Sequence, residues 1–98
     1  MFDIRQIQYF EAVYRLRSFS QAADEMHLTH AALTKSIKTL EQKWGVQLFY
    51  RTTRRVSPSA AGHRLYEKVP LFLAEAEALR QTAMREQRHI LVERRRRR

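Results

Sequence analysis

Six cations, Lys35, Lys38, Lys43, Arg51, Arg54 and Arg55, fall between residues 29 and 58, with Glu41 the only acid among them. Ammonium and guanidinium groups hold phosphate through charge and donated hydrogen bonds, arginine in a fork that engages two oxygens at once. A solvated helix face intersperses both signs, whereas a surplus of five positive charges in thirty residues is the footprint of a polyanion-binding surface. The rest of the chain is unlike it. Residues 1–28 set Arg5, Arg15 and Arg17 against Asp3, Glu11, Asp24 and Glu25, and residues 59–93 balance five bases with five acids. The remainder of the +9 formal charge is the run Arg94 to Arg98. Five consecutive arginines repel one another and lack apolar partners, so this basic tail (94–98) is expected to be disordered.

Other chemistries find no residues to carry them. The chain has no cysteine, which removes a thiol nucleophile, a disulfide framework and any Cys-ligated zinc or iron–sulfur site. His27 and His30 straddle a turn while His63 and His89 are distant, so no metal set is visible. Two glycines, Gly45 and Gly62, do not make a glycine-rich phosphate loop. No signature brings serine, histidine and an acid together, and no isolated carboxylate pair stands in an apolar segment. The expectation is a protein with no enzyme activity, no cofactor and no metal. An apolar share of 44% is that of an ordinary globular domain. No apolar run approaches the roughly 18 residues of a membrane span, and Met1-Phe2-Asp3 does not open a signal peptide. A soluble, cytoplasmic chain with no membrane partner is expected.

Helices must present the cations. Asp3 and Gln6 have capping-box spacing, and Ile4, Ile7, Phe10 and Val13 recur on one face, which predicts a helix over about residues 4–16. Ser18 and Gln21 repeat the capping pattern, and Ala22, Ala23 and Met26 follow in a short helix ending near His27. Thr29 can cap a third helix, in which Leu33, Ile37, Leu40 and Trp44 form an apolar stripe and Gly45 is the stop. Only Leu28 and Thr29 separate the two short helices, as in a helix-turn-helix. Val46 to Arg51 and then Val56, around the polar, basic tip Thr52 to Arg55, predict a two-stranded wing ended by Pro58. Ser59 can then cap the last helix.

That last helix outruns the body it leaves. Some 60 residues form a globule roughly 27 Å across, whereas about 28 helical residues from Ala60 span about 42 Å. Its stripe of Ala61, Leu65, Val69, Phe72, Ala76, Leu79 and Ala83, widened by Tyr66, Leu73 and Met84, continues past the globule. A second copy or a further domain should cover it, because water is a poor neighbour for such a surface. A seam between copies is expected on Leu65, Val69, Phe72, Leu73, Ala76 and Leu79. Pro70 removes one backbone hydrogen bond and predicts a bend between Tyr66 and Pro70, and past Met84 the fading pattern predicts fraying. The fold expected is mainly α: a winged helix-turn-helix over 1–58, its helix-turn-helix at about 19–44, then a linker or dimerisation helix over 59–93.

On the third helix, Ala31, Lys35, Lys38 and Gln42 point away from Leu33, Ile37 and Leu40. An α-helix fits the major groove of B-DNA, and its first turns reach the base edges. Ala31 is small enough to approach a thymine methyl, Lys35 can donate to guanine, Thr34 borders the same face, and His30 sits in the first turn. Thr29 and Lys38 suit phosphate. In the wing, Arg51, Arg54 and Arg55 suit phosphate or a narrow minor groove, Arg54 reaching furthest; Arg51 can equally be a structural ion-pair partner.

Phe10, Ser18-Phe19-Ser20, Ala22-Ala23, Leu33-Thr34-Lys35, Ile37, Leu40-Glu41, Gly45, Leu48-Phe49, Arg51 and Ala61-Gly62 stand together in one order and spacing. That run resembles the N-terminal DNA-binding domain of LysR-type transcriptional regulators, and with the flanking helices the likeness covers nearly all of residues 2–85. The resemblance implies a bacterial regulator that binds an inverted-repeat operator, carried on a linker helix that pairs antiparallel with its twin. It implies DNA contacts at His30, Ala31, Thr34 and Lys35, with Arg54 in the wing. His30 stands where the family usually has glutamine, Ala31 where proline or serine is frequent, and Pro58 where leucine is usual. The family's effector-binding domain is absent from this chain, so any small-molecule effector is expected to act through that missing domain.

Two functions follow. The first is sequence-specific binding of double-stranded DNA as a homodimer, for transcriptional regulation. The second is a protein-interaction module working through the long amphipathic helix. RNA binding lacks an exposed aromatic platform, since most aromatics fall on core stripes.

Overall fold

The computed structural model describes residues 2–96. Three helices, α1 (Ile4–Leu16), α2 (Phe19–Met26) and α3 (His30–Trp44), precede a hairpin of β1 (Phe49–Arg51) and β2 (Val56–Pro58) and the helix α4 (Ala60–Arg96). Each helix starts where a side chain accepts an otherwise unbonded amide. The Asp3 carboxylate accepts from the Arg5 amide at 2.8 Å, while the Gln6 side chain accepts from the Asp3 amide at 3.0 Å. Ser18 accepts from the Gln21 amide at 3.1 Å, without the returning Gln21 side-chain bond of a full capping box. Thr29 accepts from Ala32 at 3.0 Å. The first three helices end on left-handed residues, Arg17 (φ 53°), His27 (φ 58°) and Gly45 (φ 63°). Only glycine takes that backbone freely, and an L-residue there costs roughly 1–2 kcal/mol.

Ile7, Phe10 and Val13 of α1, Phe19, Ala22 and Ala23 of α2, and Leu33, Ile37 and Leu40 of α3 close on Leu48 and Phe49 of the wing. The Phe10 and Phe49 rings lie 5.3 Å apart. Because Ala22 and Ala23 are both buried and small, α2 sits close enough to its neighbours to bring the α2–α3 turn against them. Trp44 departs from its expected place on the α3 stripe. It is 38% exposed and meets Phe2 edge-on at 5.4 Å, on the wall of an open apolar groove that it shares with Leu65, Val69 and Phe72 of α4.

The hairpin pairs antiparallel with Phe49 opposite Pro58, Tyr50 opposite Ser57 and Arg51 opposite Val56. It is shorter at its start than the expected run from Val46, and it ends at Pro58 as expected, with the proline as the last residue of β2. Proline is tolerated there because a two-stranded sheet consists of edges. At the tip the Thr52 hydroxyl accepts from the amides of Arg54 and Arg55. Ser59 joins hairpin to helix, its hydroxyl donating to the Gln47 carbonyl at 2.6 Å and accepting from the Gly62 amide at 3.0 Å. A Cβ on Gly62 would lie 2.4 Å from the Leu48 carbonyl oxygen, so only glycine permits this approach.

Three expectations for α4 are corrected. Val69, placed by its phase on a seam between copies, is only 2% exposed and belongs to the domain's own core. Leu65 and Leu73 are half-buried against the same core, because the first turns of α4 lie along α1 and close the globule. Phe72 and Leu79 are exposed, and Ala76 is half-buried. The helix also runs unbroken through Pro70 to Arg96, beyond the expected fraying point at Met84. Arg94 to Arg96 therefore continue a helix instead of forming a disordered tail, while Arg97 and Arg98 lie outside the described residues. Adding a residue to an existing helix forms one bond per residue fixed, and arginine is a good helix former. The radius of gyration is 18.0 Å, against about 13 Å for a compact chain of this length, and the excess is the overhang of α4.

Candidate nucleic-acid interface

The outer face of α3 is open to solvent. Ala31, Lys35, Lys38 and Gln42 are exposed, opposite the fully buried Leu33, Ile37 and Leu40, and His30 and Thr29 are exposed at its start. Thr29 caps the helix with its oxygen and retains its hydroxyl proton for a further acceptor. Thr34 is less available than its position suggested. It is half-buried, and its hydroxyl oxygen is enclosed without a partner, so what it offers the surface in this rotamer is not the hydroxyl. Rotation about χ1 would exchange the two groups.

Arg54 and Arg55 are exposed at the hairpin tip. Arg51 takes neither a bare surface position nor an ion pair: its guanidinium carbon lies 4.1 Å from the centroid of the Phe19 ring. A cation over an aromatic face is held in place with its charge intact. The Phe19 ring is also 6.1 Å from the ring of His30, so one buried phenylalanine locates a wing arginine and the first residue of α3. Arg17, Ser20, His30, Arg51, Arg54 and Arg55 all line one open hollow of about 420 Å³ between the wing and the α1–α2 corner.

Glu41 explains why these cations stay unneutralised. The one carboxylate of the segment accepts from the backbone amides of Leu48 at 2.7 Å and Phe49 at 3.2 Å, so it anchors the start of the wing. Among the described residues no ion pair involves Lys35, Lys38, Arg51, Arg54 or Arg55. Elsewhere the cations are matched. Arg5 pairs with Asp3 at 2.8 Å, Arg80 with Glu77 at 2.8 Å, and Arg15 with both Glu11 and Glu25. The hydrogen bond from Arg15 holds the Glu25 carboxyl below the usual carboxylate range, and Arg5 does the same to Asp3. Arg80 and Gln81 lower the Glu77 carboxyl to about 2. The carboxyls held low are thus Asp3 and Glu25 at the α1–α2 end and Glu77 on α4, none of them in α3 or the wing.

The anchoring by Glu41 and the place of Arg17 in the hollow were not anticipated. A lone acid within a basic stretch was the available signal for the first; nothing local marked the second. Among the described residues no group of three potential metal ligands occurs, and no helix is long and apolar enough to cross a membrane.

Residues 4–63 match the family described as "Bacterial regulatory helix-turn-helix protein, lysR family". The chain is 52% identical over 60 residues to the uncharacterized HTH-type transcriptional regulator YcaN of Escherichia coli, which covers 61% of this chain and 20% of that protein. It is 40% identical over 83 residues to the HTH-type transcriptional regulator IlvR of Caulobacter vibrioides, covering 85% and 28%. The HTH-type transcriptional activator AllS of Salmonella paratyphi A is 40% identical over 81% of this chain and 26% of its own length. These relatives are named as transcriptional regulators and not as enzymes, and the chain spans only 20–28% of their length. Among solved structures, the BenM DBD/catB site 1 DNA complex aligns with a TM-score of 0.80 at 30% identity, covering 85% of this chain and 93% of that one. Full-length CbnR complexed with its target DNA aligns at 0.78 with 30% identity, covering 83% and 28%. The chain belongs to the LysR family of bacterial regulatory helix-turn-helix proteins.

Proposed function

We propose that this chain binds double-stranded DNA in a sequence-specific manner as a homodimer and regulates transcription through an inverted-repeat operator. The observation that carries it is the cationic ridge of α3 and the wing, whose only carboxylate is turned onto backbone amides. In this reading α3 enters the major groove with His30, Ala31, Thr34 and Lys35 toward base edges, Thr34 after rotating its hydroxyl outward. Thr29 and Lys38 hold phosphate, Arg54 and Arg55 track the backbone or the minor groove, and Arg51 works from its fixed place over Phe19. The duplexes bound by BenM and CbnR in their solved complexes support the reading by likeness of fold. Exposed Phe72 and Leu79, with half-buried Ala76, are the surface that a twin α4 would cover; Val69 is not part of it.

The test is duplex binding against salt, with Arg94 to Arg98 replaced by glutamine so that the tail does not contribute. Neutralising about six to ten phosphates gives a slope of log K on log salt near −0.9 for each. Lys35→Ala should cost roughly 1–3 kcal/mol of discrimination between duplexes, while Arg55→Ala should weaken all of them alike. A flat salt dependence would end the DNA reading. The exposed Leu79 and Met84 favour a second reading, in which α4 holds a different protein. Phe72→Glu separates the two, since a seam between copies should fall to monomer mass in light scattering and a surface for another protein should leave the mass unchanged.

A further inference from the structure

The geometry points to Arg17 as a contact to a DNA backbone phosphate, outside α3 and the wing, which extends the bound face onto the α1–α2 corner. This inference rests on the duplex-binding reading above. Of the three arginines in residues 1–28, Arg5 and Arg15 are each held by carboxylates, and Arg17 forms no ion pair among the described residues. It is also the one of the three that lines the hollow shared by His30, Arg51, Arg54 and Arg55. An exposed arginine that shares a hollow with Arg51, Arg54 and Arg55 raises the positive potential there, and a phosphate in the hollow would relieve it.

Its side chain is held ready. The Arg17 Nε donates to the Tyr14 carbonyl at 2.6 Å, and its guanidinium carbon lies 4.6 Å from the centroid of the Tyr14 ring. Tyr14 is itself fixed, stacked on Tyr66 of α4 at 3.8 Å with the rings 9° apart and its hydroxyl 2.8 Å from His63 Nδ1. With Nε and the ring plane occupied, both terminal nitrogens of Arg17 remain without a partner among the described residues. Two terminal nitrogens are a fork for two phosphate oxygens. A phosphate carries no sequence information, so Arg17 strengthens binding to all duplexes equally and sets how the domain lies on the backbone.

Arg17→Gly and Arg17→Gln, each in the full chain, test this against Arg5→Gln. Glycine suits the left-handed backbone at position 17, so that variant keeps the end of α1. Arg5→Gln removes the same charge from a site already paired with Asp3. Both Arg17 variants should bind duplex roughly three- to tenfold more weakly near 0.1 M salt, with a slope shallower by about 0.9 per protomer, for every sequence alike. Arg5→Gln should leave the slope in place. If the unaltered chain binds with a steep slope and the Arg17 variants match it, the Arg17 contact is wrong and the DNA reading stands. Equal losses in all three variants would assign the effect to net charge and likewise overturn the contact. No binding by the unaltered chain would overturn the DNA reading and this inference together.

Discussion

Residues 1–28 and residues 29–58 each carry seven charged side chains. In the first region three of the four acids, Asp3, Glu11 and Glu25, are engaged by Arg5 and Arg15. In the second the one acid accepts from two backbone amides and, among the described residues, forms no ion pair. The first region uses charge to join neighbouring turns and the α1 and α2 helices to each other. The second uses its acid to seat the wing and, among the described residues, leaves Lys35, Lys38, Arg51, Arg54 and Arg55 without an ion pair, while Lys43 has interactions of its own. Counting charge does not separate these cases; the destination of each carboxylate does.

Removing Glu41 should disturb that contrast most. Glu41→Ala orphans the Leu48 and Phe49 amides, which are part-buried, and each loses a charge-assisted bond. A cost of about 1–3 kcal/mol is expected in urea unfolding. Removing an acid from a basic surface ought to strengthen anion binding if charge alone mattered. The expected result is weaker or unchanged duplex binding, because the wing loses its seat. Tighter binding would show that Glu41 acts as a charge and not as an anchor.

An intermediate effect should come from exchanging one arginine in each region. Arg54→Gln should leave stability within about 0.5 kcal/mol, as for most exposed substitutions, and make the salt slope of duplex binding shallower by about 0.9 per protomer. Arg15→Gln should do the opposite, lowering the thermal midpoint slightly while the salt slope stays. A shared response in both would mean that the two regions do not differ as their ion pairs indicate.

Much of the fold is legible in the sequence because it is written locally. Asp3, Ser18, Thr29, Gly45 and Ser59 end or begin helices through bonds within a few residues of themselves, and helical phase alone identifies Leu33, Ile37 and Leu40 as core. Phase says which residues share a face but not what lies opposite that face. Val69 and Phe72 follow one stripe, yet the globule covers the first and leaves the second exposed. Trp44 is the converse, a stripe residue left partly open on the groove beside α4. Glu41 bonds amides seven and eight residues away, and an amide has no residue type to reveal it. The packing of Arg51 on Phe19 crosses 32 positions, and the hollow that includes Arg17 exists only after α1, α2 and the hairpin have met. The site was readable as a face of α3 and a cluster of wing cations. Its supports were not.

The smallest effect should be that of acid on the paired region. The Glu25 carboxyl is lowered chiefly by the hydrogen bond from Arg15, and that of Asp3 by the bond from Arg5. A carboxyl lowered in the folded state stabilises the fold at pH values above its unfolded pKa, here 4.5 and 3.8, and the gain is lost as pH falls through the folded value. The stability difference between the unaltered chain and Arg15→Gln should therefore be constant from about pH 8 to pH 5 and shrink below that, reaching its minimum once Glu25 is protonated. Both groups are exposed, so added salt should reduce the difference at every pH. A difference that persists unchanged to pH 2 would mean that Arg15 stabilises by packing its stem and not by its charge, and the contrast between the regions would then rest on the wing alone.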